Sequence, residues 1–252
     1  METLVIGASG ATGKLVVEQL LSAGERVKII VRPSSNIPTS WNNHSELTVI
    51  RKNITALGIE EVIQYLTECN SVASCLGHHM TLKGLFGEPR ALVADAVVLL
   101  CKAILKVRPP YPIKFVLMNT AGNSNRDLDE SVSLGQKLIV GLIRILLRPH
   151  ADKEHAAIYL RKTIGQNSPY IEWAVVRPDA LIDEVDVSEY TLHPSPTTSA
   201  IFKPGKTSRI NVGHFMCRLI LDDEVWTKWK GKMPVIYNDQ HFDVSKVVAK
   251  YK

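Results

Sequence analysis

Three glycines near the amino terminus, Gly7, Gly10 and Gly13, stand three residues apart, and the first of them ends the apolar run TLVIG. Between a strand and a helix, glycines at this spacing allow a sharp turn, a close backbone approach to a pyrophosphate and tight packing of helix on strand. The amides and the dipole at the helix start then favour an anion. A tight connection without a ligand would also explain the glycines. Because a strand, this turn, a helix and a second strand follow in the required order, we predict a dinucleotide-binding loop.

A nucleotide-binding loop of the Walker A type is excluded by the spacing. That pattern, G-x-x-x-x-G-K-[ST], would end on Gly13 and Lys14, and it would need glycine at Ala8 and a hydroxyl at Leu15. Neither requirement is met. Hydroxyl groups within the loop can still add hydrogen bonds to a phosphate. The predicted cofactor-binding residues of the loop are Gly7, Ser9, Gly10, Ala11, Thr12 and Gly13.

The end of the second predicted strand reads VRPSS and contains Arg32, Ser34 and Ser35 but no acidic residue. A carboxylate at this position binds the ribose 2′-hydroxyl of NAD, whereas a guanidinium with hydroxyl groups suits the 2′-phosphate of NADP. An exposed strand end without a ligand is the alternative for Arg32. We predict that these three residues bind the phosphate and that the cofactor is NADP(H) rather than NAD(H).

Short β-branched runs alternate with amphipathic segments through most of the chain, and glycine, asparagine or proline follows each run. Near-continuous apolar strands of this kind are typical of a parallel sheet that helices cover on both faces. The fold class is therefore predicted to be α/β, a doubly wound parallel sheet. The predicted strands are 3–7, 26–32, 46–51, 71–77, 113–120 and 171–178, and the predicted helices are about 12–23, 58–68, 88–107 and 151–165.

The alternation stops after Pro178, where the chain becomes polar and rich in proline, serine and threonine. We predict an NADP(H)-binding domain over 1–178. Residues 179–252 are predicted to form a small cap on the substrate side, with a final strand packed on the same domain. Within this part, a helix-like segment covers 212–223 and a late strand covers 233–238.

Composition limits the possible partners. The chain has 252 residues, 45% of them hydrophobic, and its formal charge of +5 is spread along the sequence, which argues against nucleic acid. Its four cysteines lack metal-ligand spacing, so we expect reduced, mostly buried thiols and no metal. No secretory signal is recognisable and the apolar runs are too short and too charged to span a membrane, so we expect a cytoplasmic protein. Its partner is then a small-molecule substrate, and it is a monomer or a homodimer.

Four segments of the chain resemble the atypical short-chain dehydrogenase/reductases. These are GASGATGKLVVEQLLSAGERVKIIVRPSS, the strand ending CLG, FVLMNTAG and YLRKTIGQNSPYIEWAVVRPDALID. Within that family, the chain resembles the subgroup of NAD(P)H-binding, NmrA-like and flavin/biliverdin reductase-like proteins. The likeness covers about residues 2–183, and it is poorly specific for a substrate.

The resemblance implies a cofactor path over the carboxyl ends of the strands. It places Asn53 at the adenine, and Cys75, Leu76 and Gly77 at the adenosine ribose. Towards the nicotinamide it places Asn119, Thr120, Arg177 and Pro178, followed by Asp179. Polar residues at strand ends often only cap loops, and for Asn53 this is the favoured alternative.

Members of this family commonly deliver a proton through a tyrosine four residues before a lysine. No such pair exists in the chain. Tyr159 and Lys162 lie three residues apart, but we expect Tyr159 to be a packing residue. The family alignment instead places Lys153 at the lysine position and Pro149 at the tyrosine position. Lys153 can bind ribose hydroxyls or, if desolvated, donate a proton, and the alternative is a solvated lysine at a helix start.

Two further residues are candidates for catalysis. Thr120, with Asn119, replaces the usual serine of the family, and its hydroxyl can orient a carbonyl. His78 follows the fourth strand in LGHHMTLKGLFG, where a histidine can supply a proton near neutral pH, although loop histidines without a function are common. The predicted catalytic residues are Lys153, Thr120 and His78.

Three functions are compatible with these residues. The first is an NADPH-dependent oxidoreductase acting on a small organic acceptor, apolar or flavin-like, in a cleft between 78–90 and 179–215. The second is a non-catalytic NADP(H)-binding redox sensor or regulatory protein, since loss of the tyrosine would accompany loss of catalysis. A sugar-nucleotide epimerase or dehydratase is a weaker third, because it needs the absent tyrosine and a larger carboxyl-terminal domain.

Overall fold

The computed structural model describes residues 1–77, 91–125, 127–128, 148–199 and 204–239, and for 148–150 it describes the backbone alone. Within these ranges, helices and strands alternate as expected. The strands are β1 (Glu2–Ile6), β2 (Arg26–Val31), β3 (Leu47–Arg51), β4 (Ser71–Ser74), β5 (Ile113–Met118), β6 (Ile171–Pro178), β7 (Ala180–Ile182), β8 (Tyr190–His193), β9 (Lys206–Ser208) and β10 (Val235–Asn238). The helices are α1 (Ala11–Ser22), α2 (Ile59–Leu66), α3 (Leu92–Val107), α4 (Arg148–Ile158), α5 (Arg209–Leu221) and α6 (Asp223–Trp229).

Eight strands form one sheet in the order β3-β2-β1-β4-β5-β6-β10-β8, and β7 pairs with β9 in a separate two-stranded sheet. Every pair in the large sheet is parallel except the last, in which β8 runs antiparallel to β10. The strand order reverses at β1, because β2 and β3 lie on one side of it and β4, β5 and β6 on the other. In such sheets, ligands bind at the carboxyl ends of the strands beside the reversal.

Helices cover both faces of the sheet, which confirms the predicted doubly wound α/β fold. The side chains of β1 belong alternately to the hydrophobic cores on the two faces of the sheet. Leu4 and Ile6 pack with α2, α3 and α4, whereas Val5 packs with α1, α5 and α6. Since both faces are buried, both sets of strand side chains are apolar. This explains why the strands read as continuous apolar runs in the sequence.

The carboxyl-terminal part of the chain contributes to the main layers of the fold. Helix α5 starts three residues before the predicted 212 and packs against α1, and its Gly213 makes the close contact. A Cβ atom on Gly213 would lie 2.9 Å from Nε2 of Gln19 and 3.4 Å from Cβ of Leu15. The late strand was expected and is β10, which pairs with β6. The division of the chain into a binding domain and a cap at residue 178 stays a prediction.

Helix α4 is followed without a break by a second helical element of a different type. Helix α4 ends at Ile158 and continues as a π-helix over Tyr159–Ile164. The sequence predicted a single helix over 151–165, because both segments share the same apolar spacing.

Among the residues described, none of the helices combines the length and the apolar character that crossing a bilayer requires.

Candidate functional site

The glycine loop between β1 and α1 has a conformation that needs glycine at two of its positions. Gly7 has a φ angle of +76°, and a Cβ atom there would lie 2.5 Å from the carbonyl carbon of Cys75. A Cβ atom on Gly13 would lie 2.1 Å from the carbonyl oxygen of Gly7. The amide of Gly10 donates a hydrogen bond of 3.0 Å to that same oxygen. The loop is therefore folded tightly on itself and on the end of β4.

The start of α1 is well suited to an anion. Gly10 is the N-cap residue and has no side chain that could accept from the helix amides, and the first turn contains no acidic residue. The first amides of a helix have no acceptor within the helix, and the dipole makes this end positive. The loop residues therefore fit the pyrophosphate of a dinucleotide. Of the remaining loop residues, Thr12 is buried, Ser9 is half-buried and Ala11 is exposed.

The turn after β2 lies beside the glycine loop. The amide of Ser35 donates a hydrogen bond of 2.9 Å to the carbonyl of Arg32, which closes the turn, and Arg32 and Ser34 are exposed. The hydroxyl of Ser9 donates a hydrogen bond of 3.3 Å to the hydroxyl of Ser35. The structure thus brings two separately predicted groups of residues together, because β1 and β2 are neighbours in the sheet.

Arg51 at the end of β3 is a residue of this region that the sequence reasoning missed. Its Nη1 atom donates to the carbonyl oxygen of Ser35 at 3.2 Å and to that of Pro33 at 3.4 Å. The contact follows from the pairing of β2 with β3, in which Val31 is the partner of Arg51. The sequence did show a basic residue at the end of the third strand. Its contact with the turn after β2 could not be foreseen, because it depends on β3 lying next to β2 in the sheet.

Asn53 acts as a cap in the structure. Its Oδ1 atom accepts a hydrogen bond of 3.3 Å from the amide of Thr55 and so caps the short 3₁₀ helix at Ile54–Ala56. This is the capping role that was the alternative to adenine binding. A contact between Asn53 and the cofactor stays a prediction.

The ends of β1, β4, β5 and β6 lie side by side. Ile6 pairs with Ser74, Ser74 pairs with Leu117, and Met118 pairs with Val176. Cys75, Leu76 and Gly77 follow β4 at this edge, with increasing exposure. Burial raises the pKa of the Cys75 thiol to about 12, so this thiol is neutral near pH 7.

Asn119, directly after β5, joins three parts of the site. Its Nδ2 atom donates a hydrogen bond of 2.8 Å to the carbonyl of Lys153 in α4. Its Oδ1 atom accepts from the amide of Thr120 at 2.9 Å and from Nδ2 of Asn123 at 2.5 Å. Asn119 is 1% exposed, so these bonds are made away from water. It therefore holds Thr120 and Lys153 at the carboxyl ends of the strands.

Lys153 is half-buried, and burial lowers the pKa of its ammonium group, while the neighbouring Asp152 carboxylate raises it. The two oxygens of Asp152 accept hydrogen bonds of 2.8 Å from the amides of Val93 and Ala94 at the start of α3. Helix α4 is thus attached to β5 through Asn119 and to α3 through Asp152. This arrangement fixes the position of the lysine backbone.

Arg177 at the end of β6 is completely buried. Its guanidinium donates to three backbone carbonyls, those of Met233 at 2.6 Å, Asn123 at 2.8 Å and Pro194 at 2.9 Å. The side chain therefore connects three loops, a structural role that the sequence did not reveal. Direct contact of Arg177 with the cofactor stays a prediction.

The residues after Arg177 continue the same edge. The carbonyl of Pro178 accepts a hydrogen bond of 2.8 Å from the amide of Ala121, so the two strand ends remain in contact. Asp179 accepts a hydrogen bond of 2.8 Å from the amide of Gly205. Burial raises the pKa of the Asp179 carboxyl group, although bonds from two backbone amides oppose this.

Tyr159 and His78 are the remaining residues considered for proton transfer. Tyr159 packs against the core formed with α2, α3 and α4, in agreement with its expected packing role. His78 lies outside the described residues, and its catalytic role stays a prediction. Among the residues described, no group of three or more His, Cys, Asp or Glu side chains is placed to bind a metal.

A titratable pair that the sequence reasoning missed lies near the end of β10. Tyr190, the partner of Asn238 in the β8–β10 pairing, places its hydroxyl 2.9 Å from Nδ1 of His214 in α5. Burial and the charge of Arg218 lower the pKa of His214. Burial raises the pKa of Tyr190. Both groups are therefore neutral near pH 7.

Many solved structures share this fold, among them the following three. A short-chain dehydrogenase/reductase from Veillonella parvula, in complex with NADP, is 16% identical, with 95% of each chain covered and a TM-score of 0.67. A candidate NADH-flavin reductase from Streptococcus pneumoniae is 19% identical over 95% of this chain and 100% of the other, with a TM-score of 0.63. ChuY, an anaerobillin reductase from Escherichia coli O157:H7, is 14% identical over 96% of this chain and 98% of the other, with a TM-score of 0.67. The TM-scores establish a common fold.

Sequence comparison gives the family. An uncharacterized chloroplastic protein of Arabidopsis thaliana is 34% identical over 74 residues, which are 29% of this chain and 26% of that protein. The match spans about a quarter of the curated relative. The sequence model of the NAD(P)H-binding family matches residues 7–223, which include the glycine loop, Lys153 and the whole of β6 and α5. The chain therefore belongs to the NAD(P)H-binding family.

Proposed function

We propose that the protein is an NADPH-dependent oxidoreductase that acts on a small organic acceptor. The observation that carries this proposal is the contact between the glycine loop and the turn after β2, made by Ser9 and Ser35. It places a site suited to a pyrophosphate next to a turn that contains Arg32 and no carboxylate. A 2′-phosphate is attracted by such a turn, whereas NAD offers it no charged group.

The proposed cofactor site extends along the carboxyl ends of six strands. Four interstrand steps separate β2 from β6, which is about 19 Å. The loop amides would hold the pyrophosphate, and Arg32, Ser34 and Ser35 would hold the 2′-phosphate. Towards β3, Asn53 would contact the adenine. Towards β6, the proposed contacts are Cys75, Leu76, Gly77, Asn119, Thr120, Lys153, Arg177 and Pro178.

When bound, NADPH supplies a hydride, and the chain must supply a proton and orient the acceptor. Lys153 is the proposed proton donor or ribose ligand. Burial lowers the pKa of its ammonium, which makes proton release easier than from an exposed lysine. Thr120 would orient an acceptor oxygen through its hydroxyl, and its support is that Asn119 bonds both the Thr120 amide and the Lys153 carbonyl. His78 remains a proposed second donor.

The acceptor is proposed to be a small conjugated molecule of the flavin type. Support comes from the fold neighbours, of which one is a candidate NADH-flavin reductase and another an anaerobillin reductase. In this proposal residues 1–178 bind the cofactor and the following segment lies on the acceptor side.

A non-catalytic NADP(H)-binding sensor is the second candidate function. Pro149 stands four residues before Lys153, where a catalytic tyrosine would be expected from the family resemblance. Tyr159, the nearest tyrosine along the helix, packs against the hydrophobic core. A protein of this kind would bind the cofactor and change its assembly or partners without turnover.

Calorimetric titration with NADPH and NADH tests the cofactor part of the proposal. Wild-type protein should bind NADPH at least about tenfold more tightly, and Arg32→Asp should remove this preference. Equal affinities, or an unchanged preference in Arg32→Asp, would contradict the assignment to NADP(H).

Consumption of NADPH with a panel of flavins, quinones and aldehydes tests the catalytic part. An oxidoreductase should oxidise NADPH with at least one acceptor. Tight binding without turnover, together with an oligomeric state that differs between NADPH and NADP⁺, would favour the sensor instead.

A further inference from the structure

We infer that Arg51, at the end of β3, is a second guanidinium of the site for the 2′-phosphate and sets the preference for NADPH together with Arg32. This inference rests on the proposed function, because it assumes that the turn after β2 receives a phosphate. The glycine loop follows β1 and Arg32 follows β2, whereas Arg51 is the last residue of β3, so it adds a third strand to the site.

The first observation is how Arg51 contacts the turn. A single atom, Nη1, lies 3.2 Å from the carbonyl oxygen of Ser35 and 3.4 Å from that of Pro33. Both carbonyls belong to the turn that the amide of Ser35 closes on Arg32. The guanidinium is therefore attached to the same short segment that presents the hydroxyls of Ser34 and Ser35.

The second observation concerns the remaining donors. A guanidinium has five N–H groups, and the two bonds of Nη1 use the two hydrogens of that nitrogen. Three N–H groups, on Nε and Nη2, are then left for another acceptor. Arg51 is exposed, and no carboxylate within the described ranges forms an ion pair with it. Phosphate oxygens are suitable acceptors for a fork of this geometry.

The third observation is the charge at this edge of the sheet. Arg51, the last residue of β3, pairs with Val31, the last residue of β2. Arg32 follows Val31, and Lys52 follows Arg51, so three basic residues lie at the ends of two adjacent strands. Lys52 pairs with Glu61 at 3.4 Å, whereas Glu46 lies at the opposite end of β3. Two neighbouring guanidinium groups without a carboxylate repel each other, and an anion with about two charges relieves this repulsion.

The turn is also connected to the pyrophosphate loop, through the hydroxyls of Ser9 and Ser35. Arg51 bonds to the carbonyl of that same Ser35. The residue therefore influences both the charge of the phosphate site and its distance from the glycine loop. A direct role predicts an effect on NADPH alone, whereas a role in positioning the turn predicts an equal effect on NADPH and NADH.

The experiment measures dissociation constants for NADPH and NADH by calorimetry in wild type, Arg51→Gln, Arg51→Lys and Arg26→Gln. Arg26 is the matched control, because it is an exposed arginine at the opposite end of β2, where it pairs with Glu68 at 3.5 Å. Arg51→Gln should weaken NADPH binding about tenfold and change NADH binding less than about twofold. Arg51→Lys should fall between wild type and Arg51→Gln, and Arg26→Gln should match wild type.

The inference would be overturned if Arg51→Gln lost affinity equally for NADPH and NADH, or lost none. The proposed function would still stand in that case, provided that the wild-type protein prefers NADPH. Absence of that preference in wild type would overturn both. Thermal unfolding without nucleotide checks that each variant is folded. Should Arg51→Gln fail to fold, Arg51→Lys provides the test, since loss of the fork should still weaken NADPH more than NADH.

Discussion

The side-chain amide of Asn119 donates a hydrogen bond of 2.8 Å to the backbone carbonyl of Lys153. This bond links the end of a central strand to the helical turn that carries the proposed proton donor. Because Asn119 also accepts from the amide of Thr120, one buried side chain fixes two of the three proposed catalytic residues. The geometry of the site therefore depends on a residue that need not touch the substrate.

Replacing Asn119 by alanine should impair both stability and catalysis. The substitution leaves the buried carbonyl of Lys153 and the amide of Thr120 without these partners, at a cost of about 1–3 kcal/mol in the free energy of unfolding for each group left unsatisfied. The turnover number should fall more than the affinity for NADPH. Urea unfolding and steady-state kinetics measure the two effects. Asn43→Ala is the control, since Asn43 is exposed in the segment before β3. Unchanged turnover in Asn119→Ala would refute the positioning role.

Replacing Lys153 by methionine should lower activity and raise stability. Loss of a proton donor typically reduces turnover by about 10²-fold or more. Burial makes the charged lysine unfavourable in the folded state, so removal of the charge should raise the melting temperature. Lys162→Met is the control, because Lys162 is exposed on the following π-helix. Full activity in Lys153→Met would remove the lysine from the mechanism.

The pH dependence of turnover should report the state of Lys153. If its ammonium donates the proton, the rate falls as pH rises through the pKa of this group, which lies below the ordinary lysine value. The Asp152 carboxylate raises that pKa, so Asp152→Asn should move the alkaline limb to lower pH. Asp95→Asn, at an exposed position of α3, should leave the limb in place. A shift to higher pH in Asp152→Asn would contradict this assignment.

Replacing Gly13 by alanine should disrupt the loop. The new Cβ atom would lie 2.1 Å from the carbonyl oxygen of Gly7, so the backbone must move, at a cost of about 1–3 kcal/mol or more. Affinity for both nucleotides should fall at least about tenfold, because the amides that face the pyrophosphate are displaced. Gly58→Ala, where a Cβ atom meets nothing within 4 Å, should leave binding unchanged. Wild-type affinity in Gly13→Ala would show that the loop does not hold the cofactor.

His214 should make stability depend on pH below neutrality. Its folded-state pKa is lowered, so the unfolded chain binds the proton more readily, and stability is lost as pH falls through and below the ordinary histidine pKa. The groups that face it are Tyr190 and Arg218, the latter paired with Asp222 at 2.8 Å. Urea unfolding between about pH 7.5 and 5.5 should show a weaker dependence in His214→Gln than in wild type. His44→Gln, at an exposed loop, should retain the wild-type dependence. An identical slope in His214→Gln and wild type would contradict the prediction.

The features that the sequence predicted correctly, the family and the fold, are encoded by patterns among adjacent residues. The glycine loop reads directly from its spacing, because turn, helix start and strand all lie within about fifteen residues. The family and the doubly wound fold follow from the same short-range patterns. The sequence placed Asn119 at the end of β5 but gave no sign of its bond to Lys153, which is 34 residues away.

The sequence by itself therefore determined the succession of strands and helices along the chain, the glycine loop and the basic turn after β2. Only the tertiary structure decided that Arg51 reaches the turn, that Arg177 is enclosed by three loops and that α5 packs on α1. Strand order and register bring these groups together from distant positions in the chain. Local periodicity specifies which face of an element is apolar, and it leaves open which side chain that face will meet.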